Sequence, residues 1–301
     1  MEIIVKHDYL QATGSFKERG ARNALACLTP AQRLRGVVAA SAGNHALGLA
    51  WHGRELGVPV TVVMPRNAPR VKAGRCHTLG ARVVLQGNTY DEASAYALAL
   101  ADDQGLAYVH PFDDLAVIAG QGTLALEALL AEPDVDAFVV PVGGGGLLAG
   151  VATVVKALRP HVQVIGVEPA HAAGLTAARH AGRPVRTTTL PTFADGLAVA
   201  QTGAHTFAHA QARADDVVTV SEDDLALALL AAHESHGLVL EGAGVAGLAA
   251  CLAGRLPALA GKRVLVALTG ANIDPANHAR ALTRARVLRE ESLCAGSRAV
   301  H

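Results

Sequence analysis

Aromatic residues are nearly absent from this sequence, at 3% of 301 positions, so any sizeable core must be filled by aliphatic side chains and alanine. Charged residues are also few, 17% of the chain, and their signs cancel: 26 Lys and Arg against 26 Asp and Glu. With no net charge and no long basic run, the chain lacks the electrostatic footprint of a nucleic-acid-binding protein. Four cysteines, Cys27, Cys76, Cys251 and Cys294, lie far apart, without the paired spacing of a metal site or a disulfide framework. They read as buried or incidental thiols of a reducing compartment, which points to the cytoplasm. Residues 1–10 carry a charge every few positions and contain no apolar signal core. Residues 137–155 are free of charge, but Pro141 and four consecutive glycines interrupt them. A buried strand, a glycine loop and a buried helix explain that segment better than a membrane span.

What the chain has in quantity is apolar side chains, 51% of residues, over a length that fills one large or two medium domains. They follow an α/β rhythm. Residues 3–5 read as a short strand. Further strands are predicted over 37–40, 60–64, 82–85 and 107–109, with helices over 44–56, 71–79 and 89–104 that end at Gly57, Gly80 and Gly105. Four short strands separated by three helices make a compact parallel-sheet unit. Beyond it, helices are predicted over 121–130, 147–158 and 242–252, and strands over 137–140, 162–167, 216–220 and 264–268. Residues 182–200 look irregular. Ser221 and Asp224 form a capping box for a helix to His236, and a polar helical tail follows Arg284 and frays. The fold class is α/β, two open parallel-sheet domains: residues 1–36 with 116–301 form the larger and residues 37–115 the smaller.

Four stretches carry chemistry. Thr13-Gly14-Ser15-Phe16-Lys17-Glu18-Arg19-Gly20 puts a lysine one step inside a helix start, where Thr13 and Ser15 can cap and Gly14 lets the backbone turn. The positive end of the helix dipole disfavours the ammonium form there, and an imine-forming lysine needs the neutral amine. A solvated lysine in a first helical turn fits this motif alone equally well. Gly143-Gly144-Gly145-Gly146-Leu147, between strand and helix, lets successive N–H groups converge on an anion, naturally a phosphate; a tight turn is the plain alternative. This stretch has neither Gly-x-Gly-x-x-Gly with its acidic partner nor a Lys-Ser/Thr after the glycines, so a dinucleotide-dependent oxidoreductase ranks last. Ser41-Ala42-Gly43-Asn44-His45 is a strand-to-helix turn whose hydroxyl, N–H and amide donors suit a carboxylate. Thr269 closes a buried strand at the sheet edge where ligands gather.

Together with Leu268-Thr269-Gly270-Ala271-Asn272, and in this order, these stretches resemble the serine/threonine dehydratase family, pyridoxal-phosphate (PLP) enzymes of the tryptophan-synthase-β-like fold, fold type II. His110-Pro111-Phe112-Asp113-Asp114, Ile118-Ala119-Gly120-Gln121-Gly122-Thr123 and Ala194-Asp195-Gly196 match as well, and the likeness spans about residues 6–274. The resemblance implies a PLP site in the cleft between the domains, with the smaller domain mobile and the larger binding the cofactor. It implies that Lys17 forms the imine and acts as the base, and that Gly143, Gly144, Gly145, Gly146 and Leu147 hold the phosphate. Asn44 would meet the phenolic oxygen and Thr269 the pyridine nitrogen, while Phe16, Gly196 and Glu241 border the cofactor. Ser41, Ala42, Gly43, Asn44 and His45 form the loop that takes the substrate carboxylate, His45 being structural before catalytic.

The same resemblance speaks to the reaction. A neutral hydroxyl at Thr269 leaves the ring nitrogen largely unprotonated, which suits elimination over transamination. Racemases of the family carry a serine where Ala42 stands, so one-face chemistry is implied. The implied reaction is loss of water from L-threonine or L-serine, the cofactor's phosphate protonating the hydroxyl, to give a 2-oxo acid and ammonia. A serine racemase and a 3-hydroxyaspartate ammonia-lyase are the alternatives within the fold. Glu168 and Ala172 match a divalent-metal site of the racemases, but Gly174 replaces its Asp, so no complete metal site is expected; His171 nearby reads as a surface-loop residue. Ala271 replaces a usual glycine, its methyl either crowding the ring or tuning the loop. Family relatives have a few dozen residues before the first strand, and Met1 lies almost at it; a non-catalytic PLP-binding protein disabled by this short start is the alternative of another class. No regulatory domain follows the tail, as in the short forms. The expected partners are a small amino-acid substrate and further copies of the chain, as dimer or tetramer, without nucleic acid or membrane.

Overall fold

The apolar runs over residues 37–40, 60–64, 137–141 and 264–268 fold as parallel strands buried on both faces, as strands covered by helices on either side must be. The computed structural model describes residues 1–68 and 70–298. β1 (Glu2–His7) opens the chain. β2 (Val37–Ala40), β3 (Val60–Met64), β4 (Arg82–Leu85) and β5 (Ala107–Tyr108) make one sheet in the order β4-β3-β2-β5. β6 (Ala137–Pro141), β7 (Gln163–Pro169), β8 (Asp216–Val220) and β9 (Arg263–Leu268) join β1 in the other, ordered β1-β9-β6-β7-β8. All pairings are parallel, with Ile4 opposite Leu265 and Phe138 also opposite Leu265. Among the largest fully buried side chains only Phe138 is aromatic, so the core is aliphatic.

Twelve helices cover the sheets among the described residues: α1 (Lys17–Ala26), α2 (Pro30–Arg35), α3 (Asn44–Leu56), α4 (Arg70–Thr78), α5 (Tyr90–Gln104), α6 (Leu115–Ala131), α7 (Gly146–Leu158), α8 (Gly174–Ala181), α9 (Ala204–Arg213), α10 (Glu222–His236), α11 (Gly242–Leu252) and α12 (Pro275–Arg298). The Ser221–Asp224 capping box is present at α10. The fraying of the tail and the Cys294 side chain lie outside the described residues.

Four differences from the sequence reading have physical causes. β1 is twice the length of the 3–5 run because β9 pairs with it along its whole span. α6 begins at Leu115 rather than near residue 121, since the Asp114 carboxylate accepts from Ala116 N and Val117 N and caps it there. α8 and α9 were hidden because their caps come from outside their own N-cap positions. Buried Glu168 accepts from Leu175 N and Thr176 N at 2.6 and 2.8 Å, and Asp113 accepts from Ala204 N and Thr206 N, both at 3.0 Å. α2 has no buried residue to give it an apolar face and rests on a Thr29–Gln32 capping box.

One ionic cluster, buried at the Asp8–Arg19 pair and open to solvent at Glu127, helps to set the position of α1. Arg19 donates from Nε to Asp8 at 2.7 Å and from Nη1 to Glu127 at 2.7 Å, and Lys6 reaches Asp8 at 3.0 Å. It ties the end of β1, α1 and α6 together. Such a pair is geometrically demanding and specifies register more than it adds stability.

Candidate active site

The floor of the site is a zipper between two loops. Phe16 N donates to Thr269 O at 3.0 Å, Ala271 N donates to Gly14 O at 2.9 Å, and Ser15 forms a bridge with Gly270. The turn before α1 is thereby fastened to the end of β9, and Thr269 is brought beside Lys17. This corrects the capping expectation. Phe16 occupies the N-cap of α1 with no side-chain cap, and the Thr13 and Ser15 hydroxyls are buried without partners. Those residues are drawn into the zipper, and the Glu18 carboxylate reaches back to Thr13 N instead.

Lys17 is the first residue of α1, and its Nζ donates to Pro111 O at 2.8 Å. Its pKa is lowered from the ordinary 10.5 to about 8, by burial first, with the Glu241 carboxylate opposing. Burial thus accounts for the shift that the sequence reading ascribed to the helix dipole. The folded, cofactor-free chain therefore gives up this proton about two and a half pH units before the unfolded chain does. Between pH 8 and 10.5 the unfolded state binds more protons, so stability rises with pH across that window. Lys17→Met is expected to remove the rise and to stabilise the cofactor-free chain by about 1–3 kcal/mol at pH 7. Urea unfolding at pH 7 and pH 10 checks both.

Above Lys17 lies a cavity of about 770 Å³, in the range of small-molecule sites. Every site residue named from the sequence lines it: Phe16, Lys17, Ser41, Ala42, Gly43, Asn44, His45, Gly143, Gly144, Gly145, Gly146, Leu147, Gly196, Glu241 and Thr269. α1, α3 and α7 open here on Phe16, Gly43 and Gly145, none with a side-chain cap. α2, α5, α6 and α10 are each closed by a capping side chain. The uncapped N–H groups and aligned dipoles leave the cavity wall ready for anions at the 41–45 and 143–147 loops. The glycines of the second loop are required by space: a Cβ on Gly144 would lie 2.2 Å from the Phe112 ring, and Gly145 holds φ at +92°.

Polar groups face one another across the cavity. Asn44 Nδ2 donates to Glu241 Oε1 at 2.7 Å, and Asn272 Nδ2 donates to Asn44 Oδ1 at 2.9 Å. Burial, then Asp195, raises the Glu241 carboxyl to about 7. His45 Nε2 is 3.2 Å from Val109 O, and burial with the Lys17 charge lowers its pKa to about 3. It is a neutral strut that ties the 41–45 loop to the end of β5. The Thr269 hydroxyl makes one long contact, 3.4 Å to Ala243 O, and stays available to a ligand. Ala271 does not line the cavity; it packs against the main core, so its methyl belongs to the loop. Glu168 lies away from the cavity, committed to α8 and to Thr176 Oγ1 at 2.7 Å, and His171 Nδ1 donates to Pro191 O at 2.6 Å.

Some lining residues had no assigned role in the sequence. His110, Pro111 and Phe112 form a wall, although only their motif was noted. Thr89, Tyr90, Asp91 and Ser94 from α5 and its cap, and Arg186 and Thr202 from irregular stretches, also line the cavity. Arg186 pairs with Asp91 at the mouth. No periodicity marks loop residues, so only the His-Pro-Phe motif carried a signal.

An amine of lowered basicity, an N–H-rich glycine loop and a free hydroxyl at a strand end can together receive a phosphate-bearing aldehyde. That combination in a cleft between two parallel sheets defines an enzyme that holds an anionic cofactor beside an imine-forming lysine. The chain belongs to the pyridoxal-phosphate dependent enzyme family, whose family model matches residues 1–270. It is 47% identical over 273 residues to an L-threonine ammonia-lyase of Thermotoga maritima, covering 91% of this chain and 68% of that protein. The processed threonine deaminase isoform 2 of Solanum lycopersicum superposes with a TM-score of 0.90 at 39% identity, over 94% of this chain and 83% of that one. The serine racemase of Dictyostelium discoideum superposes with a TM-score of 0.85 at 34% identity, over 90% of this chain and 88% of that one. Among the described residues no helix is long and apolar enough to cross a membrane.

Proposed function

We propose that this protein is a PLP-dependent ammonia-lyase that removes water from L-threonine or L-serine and yields a 2-oxo acid and ammonia. The observation that carries the reading is Lys17, a lysine poised near neutrality on the floor of the cavity, with Ala42 offering no second acid or base in the carboxylate loop. Proteins similar to it bear the names L-threonine ammonia-lyase, L-threonine dehydratase and threonine deaminase.

PLP, when bound, supplies the sink for the electrons left on Cα. Lys17 would hold it and, once displaced by substrate, take the α-proton. The N–H groups of Gly143, Gly144, Gly145, Gly146 and Leu147 would hold its phosphate, and Thr269 would meet its ring nitrogen as a neutral hydroxyl. Ser41, Gly43 and Asn44 bind the substrate carboxylate at the uncapped start of α3. Phe16, Gly196 and Glu241 border the cofactor. Closure of residues 37–115 over the carboxylate excludes water. One proton leaves Cα and one joins the departing hydroxide, so water is released and the product hydrolyses in solution. The working form is a homo-oligomer in the cytoplasm.

The test is stoichiometry with chirality. With added PLP, L-threonine should give equal amounts of 2-oxo acid and ammonia, with D-amino acid a minor product. D-serine formed from L-serine faster than pyruvate would replace this reading by a racemase. Ala42→Ser supplies the missing second-face donor and is expected to raise D-serine formation about 10-fold or more, read by chiral chromatography.

A further inference from the structure

His110 stands beside Lys17 and is unused in the reading above. Its Nδ1 accepts the backbone N–H of Asp113 at 2.8 Å and of Phe112 at 3.3 Å. The single ring proton of the neutral imidazole is therefore on Nε2. The ring is held edge-on against Phe112, with centroids 4.5 Å apart, and against Tyr108 at 6.1 Å, so turning it over would cost both backbone bonds. Nε2 has no partner among the described residues, is not one of the sealed unsatisfied atoms, and belongs to a ring that lines the cavity. The carbonyl of the next residue, Pro111, is the one that holds Lys17 Nζ at 2.8 Å. A fixed N–H thus opens on the cavity one residue from the contact that positions the base.

The imidazole stays neutral: burial, aided by Lys17, lowers its pKa, with Asp113 and Asp114 opposing. It offers a hydrogen bond and no acid, since losing the Nε2 proton would leave an imidazolate. The substrate carboxylate already has the uncapped start of α3, and the α-proton has Lys17. The remaining polar group of a β-hydroxy amino acid is the hydroxyl.

Resting on the ammonia-lyase reading, we propose that His110 donates its Nε2–H to the substrate's β-hydroxyl and stabilises the charge that gathers on that oxygen as the Cβ–O bond breaks. The bonding electrons leave with oxygen, the Cα–H electrons form the Cα=Cβ bond, and the proton that completes water balances the one taken from Cα. His110 keeps its own proton throughout.

The test compares leaving groups on the holoenzyme. L-Serine must lose hydroxide, whereas 3-chloro-L-alanine has the same skeleton and loses chloride, which needs little hydrogen bonding. His110→Ala is expected to lower kcat/KM for L-serine by about 100-fold, as loss of one preorganised donor does, and to change 3-chloro-L-alanine by less than about 3-fold. His110→Gln, which keeps an N–H near the position of Nε2, should recover most of the loss. Equal losses on both substrates, or no recovery in His110→Gln, would overturn the assignment. A second readout uses the unsubstituted enzyme and no turnover. α-Methyl-L-serine, which has no α-proton, should shift the His110 Nε2 signal in ¹⁵N NMR, and 2-aminoisobutyrate, which lacks the hydroxyl, should not; the same shift with both refutes the proposal. A wild-type enzyme inert to both elimination substrates would refute the ammonia-lyase reading instead, and the NMR pair still decides His110.

Discussion

Lys17→Ala is expected to lower 2-oxo acid release from L-threonine by at least about 1,000-fold while leaving the chain folded. The lysine is half-buried on the cavity floor, and its one hydrogen bond among the described residues is to Pro111 O. No packing core depends on it. Its removal also takes away a positive charge that burial disfavours. Activity and stability should therefore move in opposite directions, which a structural lysine would not produce. Lys17→Arg separates charge from nucleophilicity: it keeps the cation, cannot be deprotonated at working pH, and should be as inactive as alanine. Circular dichroism together with a 2-oxo acid assay reads both variants.

Gly144→Ala is expected to weaken PLP binding by about 100-fold. The added Cβ falls 2.2 Å from Phe112 Cγ, and within 2.4 Å of both neighbouring ring carbons. Phe112 cannot yield freely, since its ring packs on His110 and its backbone lies 3.0 Å from where a Cβ on Gly146 would be. The loop must shift instead, which takes its N–H groups off the phosphate. Overpacking of this kind costs about 1–3 kcal/mol, and about 1.4 kcal/mol is a factor of ten in affinity. Gly74→Ala is the control: a Cβ there meets nothing within 4 Å, in the middle of α4, and binding should be unchanged. Titration of the visible cofactor band gives both constants.

The strands and most helices were legible because buried parallel strands are unbroken apolar runs and glycine ends many of the helices between them. α3, α10 and α11 begin and end where glycine, the capping box and apolar spacing place them. What escaped depends on distant atoms. α8 and α9 exist because carboxylates outside the helices cap them, Glu168 from the end of β7 and Asp113 from 91 residues before Ala204. The site shows the same division. Glycine loops and the lysine motif can be read locally, because their chemistry is in the backbone and in one side chain. The zipper that takes in Thr13 and Ser15 and the burial that depresses Lys17 are set by packing between loops 94 to 259 residues apart, whereas the tautomer of His110 is set by a local turn that brings the Phe112 and Asp113 N–H groups onto its ring. A chain with so few aromatic residues places two of its five phenylalanines, Phe16 and Phe112, on this cavity. That use of a scarce residue is a signal that sequence alone could have weighed.

The most direct test is borohydride trapping. The purified chain is loaded with PLP, reduced with borohydride, digested, and the modified lysine located by mass spectrometry. The account predicts one pyridoxyl group per chain, on Lys17, and none when L-threonine is present in excess during reduction. A label on Lys6, Lys72, Lys156 or Lys262, or no label at all, would contradict it.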